Sequence, residues 1–270
     1  MQQGPIGVFD SGLGGLSVWR EVARQFPQES LVYVADSGHC PYGPRTQADV
    51  TQLSHQIVRF LRDKGCKLIV VACNTATTAA IQTLREVYSL PFVGMEPAIK
   101  PAVSQTQSGV IGVLATMGTL SGSYYQRSVE KYGDQVTIIG QEGKGLVEAV
   151  ENGQIHSSET KELLAGYLAP MRGAGADQLV LGCTHYPFLT PVIQEIVGTS
   201  MQVIDPSPAI ARQVGRLLDE HALHQRVPHE AGYQFYSTGK LDGLKKLVFE
   251  IAEPAQWQRS TFASLSIPAV

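Results

Sequence analysis

The sequence is short of the features that mark several protein classes. Its four cysteines, Cys40, Cys66, Cys73 and Cys183, include no Cys-x-x-Cys pair, which argues against a zinc ribbon or a thioredoxin-like redox site. No apolar run approaches the roughly 18 residues of a membrane span, and the N-terminal MQQGPIGVFD has neither a basic region nor a cleavage site. The formal net charge of −3 gives no basic surface for nucleic acid. We therefore expect a cytoplasmic protein that binds neither nucleic acid nor membrane.

Hydrophobic residues make up 43% of the 270 residues, which is enough for the cores of two modest α/β domains. Short β-branched and aliphatic runs alternate with amphipathic stretches, and this alternation predicts mainly parallel sheets flanked by helices. The predicted strands are 5–9, 31–35, 67–72, 91–94, 110–114, 136–139, 178–181, 202–204 and 233–237. The last predicted helix is 241–251.

Three segments of the sequence occur twice in the same order. IGVFDSG at Ile6 matches IGVLATMGT at Ile111, VVACNTATTA around Cys73 matches LVLGCTHYP around Cys183, and MEPAI at Met95 matches IDPSPAI at Ile204. We interpret the matches as an internal repeat, although α/β proteins also share such strand patterns without one. The repeat predicts a discontinuous first domain of residues 1–97 and 207–270, and a second domain of residues 98–206.

Polar side chains follow the predicted strands at their carboxyl ends, where parallel α/β sheets bind ligands. They are Asp10, Ser11, Asp36, Cys73, Asn74, Thr75, Thr116, Cys183, Thr184 and His185. Two thiols in matching positions of a repeat suggest proton transfer to and from one substrate from two sides. Because a helix N-terminus lowers a thiol pKa, we expect Cys73, and Cys183 in the repeated segment, to be activated in this way. His185 is a further candidate to tune Cys183.

The glycine-rich segment 9–17 leaves two interpretations open. Its first two glycines fit part of a dinucleotide fingerprint, and Asp36 stands about where a ribose-binding acid would lie, so a nicotinamide oxidoreductase is a competing function. Against it, Ser17 holds the third glycine position, and Asp10 would repel a phosphate. Asp10 itself is either a site carboxylate or a helix N-cap.

Other interpretations explain the residues less well. A metal site would need ligands that are scattered in the sequence, namely His39, Cys40, Cys73, Cys183 and His185. A cysteine hydrolase would pair Cys183 with His185 as nucleophile and base, and it is a weaker interpretation still. A non-catalytic amino-acid-binding protein would leave the duplicated thiols unexplained. The loop HCPYGPRT at 39–46 brings Tyr42 to the site, and Cys40 within it is interpreted as incidental.

The motifs FDSGLGG, PYG, ACNTA, GVLAT-GT, GCTHYP and IDPS, in this order and spacing, resemble those of the cofactor-independent aspartate/glutamate racemases. The resemblance covers roughly residues 5 to 240. It implies two α/β domains related by a pseudo-two-fold axis with the active site in the cleft between them. It further implies interconversion of L-glutamate and D-glutamate, supply of D-glutamate for peptidoglycan, and a homodimer. No pyridoxal phosphate, metal or nucleotide is implied.

The resemblance also implies roles for individual residues. Cys73 and Cys183 would be the two acid/base residues, with Cys73 acting on the α-proton of the D-enantiomer and Cys183 on that of the L-enantiomer. Asp10 would support Cys73, and His185 would support Cys183.

An auxiliary acid is implied in the segment GLVEAVENG, where Glu151 fits best and Glu148 is the alternative. The implied substrate-binding residues are Asp10, Ser11, Pro41, Tyr42, Gly43, Asn74, Thr75, Thr116, Thr119, Thr184 and His185. Aspartate is the closest rival substrate, because selection between side chains one methylene apart depends on pocket shape.

Overall fold

The computed structural model describes residues 4–225 and 230–268. In chain order the strands are β1 (Ile6–Asp10), β2 (Leu31–Ala35), β3 (Leu68–Val71), β4 (Phe92–Gly94), β5 (Val110–Ala115), β6 (Thr137–Glu142), β7 (Gln178–Gly182), β8 (Gln202–Ile204), β9 (Tyr233–Ser237) and β10 (Ser260–Ser264). They form a six-stranded and a four-stranded sheet in which the paired strands are parallel. The predicted α/β fold class, with mainly parallel sheets flanked by helices, is confirmed.

The helices lie between the strands, as parallel connections require. They are α1 (Leu16–Gln25), α2 (Gln47–Asp63), α3 (Asn74–Val87), α4 (Ile99–Gln105), α5 (Met117–Leu120), α6 (Ser123–Tyr132), α7 (Leu146–Glu151), α8 (Ser158–Gly173), α9 (Thr190–Val197), α10 (Ser207–Glu220), α11 (Leu241–Ile251) and α12 (Pro254–Trp257), with a 3-10 helix at Tyr186–Leu189. Helix α2 shows how the local sequence specifies a helix. Thr46 Oγ1 accepts a hydrogen bond from the Asp49 amide at 3.1 Å, and apolar residues at helical spacing, such as Leu53 and Ile57, are buried. Within the described ranges, no helix is both long and apolar enough to cross a membrane.

The two halves of the chain repeat one strand order. The larger sheet has the order β10-β9-β2-β1-β3-β4, and the smaller has the order β6-β5-β7-β8. Within these orders, β2-β1-β3-β4 of the first half corresponds to β6-β5-β7-β8 of the second. Cys73 follows β3 and Cys183 follows β7, so the two thiol segments occupy equivalent places in the two sheets.

The end of the chain returns to the larger sheet. Strands β9 and β10 extend it beyond β2, and α10 packs its buried Val214 and Leu218 in one core with Trp19 and Val22 of α1. Chain segments therefore leave the larger sheet after β4 and rejoin it after β8. The proposed domain bounds of 1–97 with 207–270, and of 98–206, stay a prediction.

The central strands are buried on both faces. Val8 and Val70 contribute to one hydrophobic cluster of the larger sheet, while their neighbours Phe9 and Val71 contribute to the other. This two-sided burial explains why the strands are continuous apolar runs in the sequence. Strand β10 was not predicted, because Ser260–Ser264 is a largely exposed edge strand whose one large apolar residue, Phe262, stacks on Phe235.

Candidate active site

One small cavity collects residues that follow β1 and β3 of the larger sheet and β5 and β7 of the smaller. Its lining residues are Ser11, Pro41, Tyr42, Gly43, Cys73, Asn74, Thr75, Thr116, Thr119, Val147, Gly182, Cys183, Thr184 and His185. The residues predicted for the site from the sequence are all among them except Asp10, Asp36 and Glu151. Val147 and Gly182 were not predicted. Val147 carries no chemical signal in the sequence, whereas Gly182 directly precedes a predicted thiol.

Cys73 is the N-terminal cap residue of α3. Its Sγ accepts a hydrogen bond from the Ala76 amide at 3.5 Å and donates one to Ser11 Oγ at 3.8 Å. The expectation of a lowered pKa is wrong for this thiol. Burial, followed by the charge of Asp10, raises the pKa of Cys73 well above its ordinary value, and the Ala76 amide opposes the rise only in part. Cys73 therefore carries its proton at neutral pH.

Cys183 follows β7 in the equivalent place, but its surroundings differ. The prediction that it starts a helix as Cys73 does is wrong, because the 3-10 helix after it begins only at Tyr186. The chain turns directly after Gly182 instead of continuing as a strand. As a result Cys183 Sγ lies 3.7 Å from His185 Nδ1.

His185 is a buried imidazole held between both halves of the molecule. Its Nε2 lies 2.7 Å from Glu151 Oε1 and 3.2 Å from the Gly14 amide nitrogen. Burial by itself lowers the pKa of His185, but the contacts with Cys183, Cys40 and Glu151 outweigh burial and raise it well above its ordinary value. A cationic imidazole consequently lies beside Cys183.

The two acids considered from the sequence lie in different places. Glu151 contacts His185, and its Oε1 also accepts a hydrogen bond from the Leu13 amide. Glu148 instead lines a wider pocket with Lys144, outside the cavity. Among these two, Glu151 is the acid that reaches the thiol network.

Asp10 is fully buried at the end of β1. Its Oδ2 accepts hydrogen bonds from the amides of Gly15 at 2.9 Å and Gly12 at 3.3 Å, and Thr184 Oγ1 donates to its Oδ1 at 3.3 Å. Asp10 thus holds the turn before α1, as a cap would, and also reaches the other half of the site. Burial raises its pKa, although the charge of His185 and the Gly15 amide oppose the rise.

The glycine-rich segment before α1 has a packing role in this structure. A Cβ at Gly12 would lie 2.1 Å from Glu151 Oε1, and a Cβ at Gly14 would lie 2.3 Å from His185 Nδ1. Side chains of the second half therefore occupy the space in front of the α1 N-terminus, where a dinucleotide fingerprint would hold phosphate. This arrangement disfavours the nicotinamide interpretation.

Hydroxyl and amide groups line the cavity between the two thiols. Thr75 Oγ1 lies 3.1 Å from Thr116 Oγ1, which lies 3.0 Å from Thr119 Oγ1, so the chain of hydroxyls crosses from one half to the other. Both polar side-chain atoms of Asn74 are buried and have no hydrogen-bond partner among the described residues. Buried polar groups are normally paired, and those of Asn74 are suited to a polar ligand.

Hydrogen bonds to Asp36 hold the loop that carries Tyr42. Buried Asp36 accepts hydrogen bonds from the Tyr42 hydroxyl at 2.5 Å and from Thr238 Oγ1 at 2.6 Å, and its Oδ1 lies 2.8 Å from His39 Nδ1. Because the Tyr42 proton is directed at Asp36, that hydroxyl does not donate into the cavity. Burial and the charge of Asp36 raise the pKa of Tyr42 well above its ordinary value.

The scattered metal-ligand set considered from the sequence does not come together as one group. In residues 4–225 and 230–268, the group with metal-ligand spacing is Cys40, Glu151 and His185, whose ligand atoms lie within 4.8 Å of one another. Cys40 therefore lies beside two residues predicted for the site. Its place depends on a loop conformation that the sequence does not reveal.

Comparisons with known proteins agree with this arrangement. The family model described as Asp/Glu/Hydantoin racemase matches residues 6–214. A protein of Herpetosiphon aurantiacus named glutamate racemase is 49% identical over 218 residues, which cover 81% of this chain and 86% of the relative.

Solved structures show the same fold. That of glutamate racemase isoform RacE1 from Bacillus anthracis has a TM-score of 0.87 and 29% identity over 100% of both chains. That of glutamate racemase from Francisella tularensis in complex with D-glutamate has a TM-score of 0.83 and 27% identity over 98% of both chains. The resemblance drawn from the motifs is confirmed, and the chain belongs to the aspartate/glutamate/hydantoin racemase family.

Proposed function

We propose that this chain is a glutamate racemase that interconverts L-glutamate and D-glutamate with Cys73 and Cys183 as its two acid/base residues. The observation that carries the proposal is the pair of thiols, which follow equivalent strands of two sheets and line one cavity. The glutamate racemases among its relatives, and the D-glutamate bound in the Francisella protein, support glutamate as the substrate.

The reaction requires a base on one face of the α-carbon and an acid on the other. In the L-to-D direction, the Cys183 thiolate takes the α-proton, and the Cys73 thiol gives its proton to the opposite face of the resulting carbanion. The reverse direction exchanges these roles. Cys73 is held as a thiol because burial and Asp10 raise its pKa, and His185, 3.7 Å from Cys183 Sγ, is placed to stabilise the thiolate that Cys183 needs for the first step.

The remaining lining residues bind and polarise the substrate in this proposal. Asn74 has buried amide atoms without a protein partner, and the hydroxyls of Thr75 and Thr184 lie beside the two thiol segments. These groups are suited to a carboxylate whose charge grows as the α-proton leaves, since donors fixed in advance need no reorganisation during the reaction. Thr116 and Thr119 are proposed to complete the binding site.

Exchange of the α-proton with solvent tests the proposal. Purified protein without added cofactor, incubated with either enantiomer in deuterated reducing buffer, is expected to incorporate deuterium at the α-carbon, as measured by NMR. Aspartate serves as the matched control substrate, because it differs by one methylene. Absence of exchange with both glutamate enantiomers would contradict racemisation, and faster exchange with aspartate would overturn the substrate assignment.

The physiological use that we propose is the supply of D-glutamate for peptidoglycan, by a homodimer. Rescue of a bacterium that requires D-glutamate tests the first part, with the Cys73→Ser variant as the inactive control. Analytical ultracentrifugation tests the second part, for which a sedimentation coefficient of the monomer across the micromolar range would be the contrary result.

A further inference from the structure

We propose that Cys40, Glu151 and His185 form a binding site for a thiophilic divalent cation such as Zn²⁺, and that the bound cation inhibits the enzyme by replacing the contact of His185 with Glu151 and so changing the imidazole beside Cys183. The inhibitory part rests on the proposed racemase function, whereas the binding part does not. The cation is an inhibitor in this proposal and has no part in the reaction.

The geometry comes from three separate parts of the chain. Cys40 lies in the loop after β2, Glu151 ends α7, and His185 lies in the turn after β7, yet one ligand atom of each is within 4.8 Å of the others. Gly12 leaves the space between them open, because a Cβ there would lie 2.1 Å from Glu151 Oε1 and 3.1 Å from Cys40 Sγ. Ligand atoms of a tetrahedral zinc site lie about 3.3–3.7 Å apart, so side-chain adjustments of roughly 1 Å complete the site.

The chemistry of the three groups selects the class of cation. Thiolate, imidazole and carboxylate are the ligands that zinc binds in proteins, and three protein ligands leave the fourth position to water. Ca²⁺ and Mg²⁺ prefer sites made of oxygen atoms, so they are poor occupants here. On binding, the Cys40 thiol and the His185 imidazolium each release one proton to solvent, the sulfur and the ring nitrogen form bonds to the metal, and no oxidant or reductant is needed.

The cluster has its own route to solvent. Glu151 lines a surface pocket with Leu13, His156 and Lys246, apart from the substrate cavity, and Cys40 is partly exposed. A cation can therefore reach the cluster without passing between the two thiols. Once bound, it replaces the 2.7 Å contact between His185 Nε2 and Glu151 Oε1 and thereby changes the group beside Cys183.

Cobalt(II) provides a spectroscopic test, because a thiolate ligand gives a charge-transfer band in the near ultraviolet. We expect one equivalent of Co²⁺ to produce this band in the wild-type protein, and Zn²⁺ to displace the Co²⁺. The band should be lost in Cys40→Ser and retained in Cys183→Ser and in Cys66→Ala, the last a control that removes a thiol elsewhere. Loss in Cys183→Ser with retention in Cys40→Ser would place the cation in the substrate cavity and overturn the proposal, as would no band in the wild-type protein.

Inhibition is measured separately on the same variants. The activity of each protein is compared with its own rate without metal. For Cys40→Ser, the Zn²⁺ concentration that halves this activity is expected to rise by at least about tenfold relative to wild type, the usual size of a lost metal-site contact. A chelator should restore wild-type activity. Equal sensitivity of wild type and Cys40→Ser to Zn²⁺ would overturn the inhibitory part. If the protein racemises nothing, the cobalt band still decides the binding part.

Discussion

The two thiols occupy equivalent places in two similar sheets, but their immediate neighbours carry opposite charges. Cys73 caps α3 and is buried near the carboxylate of Asp10, which raises its pKa. Cys183 caps no α-helix and lies 3.7 Å from His185, whose own pKa is raised. The two halves therefore share the position of the thiol and the order of the strands, while the chemistry around each thiol differs. In the proposed reaction, which needs one acid and one base at a time, this difference favours Cys73 as the thiol that holds its proton at rest.

Removing the thiol of Cys73 or of Cys183 is expected to have the largest effect on the rate of racemisation. Cys73→Ser and Cys183→Ser should each lower racemisation by about 10²- to 10⁴-fold, the usual contribution of a positioned general acid or base. Circular dichroism of the glutamate solution measures the rate from each enantiomer. Since a racemisation equilibrium constant equals one, kcat/KM must fall equally in both directions for each variant.

Cys66→Ala is the matched control for this measurement, because Cys66 is a buried thiol that packs in the hydrophobic core of the larger sheet. It is expected to keep wild-type kcat/KM. Near-normal turnover of either serine variant would eliminate the two-thiol mechanism and would make the comparison of the two sites irrelevant to catalysis.

The second effect is a difference in the reactivity of the two thiols. At pH 7 a small methanethiosulfonate reagent should modify Cys183 at least about tenfold faster than Cys73, because the thiolate is the nucleophile and Cys73 is held as a thiol. Mass spectrometry of peptides after timed quenching measures both rates in one sample. His185→Gln should slow modification of Cys183 and leave Cys73 unchanged.

Asp10→Asn is the corresponding test for Cys73, as His185→Gln is for Cys183. It removes the negative charge that raises the pKa of Cys73 and should speed modification of that thiol. If Cys73 is the faster thiol in the wild-type protein, the resting proton is on Cys183 and our assignment is reversed.

Some parts of the fold and the site can be predicted from the sequence and others cannot, because strands and turns leave different patterns in the sequence. Strands buried on both faces are apolar runs, so β1, β2, β3, β5 and β7 were each predicted to within one residue of their observed bounds. The polar residues after those runs were predicted as one site because the carboxyl ends of parallel strands share an edge. Edge strand β10 has no such run and was missed.

The contacts that distinguish the two thiols depend on turns, which the sequence reveals poorly. The turn after Gly182 places Cys183 Sγ 3.7 Å from His185 Nδ1, a contact that the strand pattern does not reveal. Cys40 was interpreted as incidental because nothing in HCPYGPRT shows that the loop folds back against Glu151. Local conformation therefore decides which residues tune each thiol, whereas the strand pattern decides only that the thiols share a cavity.

The smallest predicted effect concerns stability and the charge of Asp10. Burial is the main cause that raises the pKa of Asp10, so its charged form is disfavoured in the folded state. A raised folded-state pKa means that the associated stability is fully present below the unfolded pKa and is lost as pH rises through the folded-state pKa.

The variant Asp10→Asn tests this effect, because it keeps an oxygen for the Gly12 and Gly15 amides and removes the buried charge. Calorimetry at pH 8 should therefore give a higher Tm by about 2–4 °C, the shift that 1 kcal/mol produces in a chain of this size. The difference should shrink as pH falls toward the unfolded pKa of about 3.9. A lower Tm at pH 8 would mean that the hydrogen bonds of the carboxylate outweigh its desolvation. In that case Asp10 would be retained for the fold as well as for the chemistry beside Cys73.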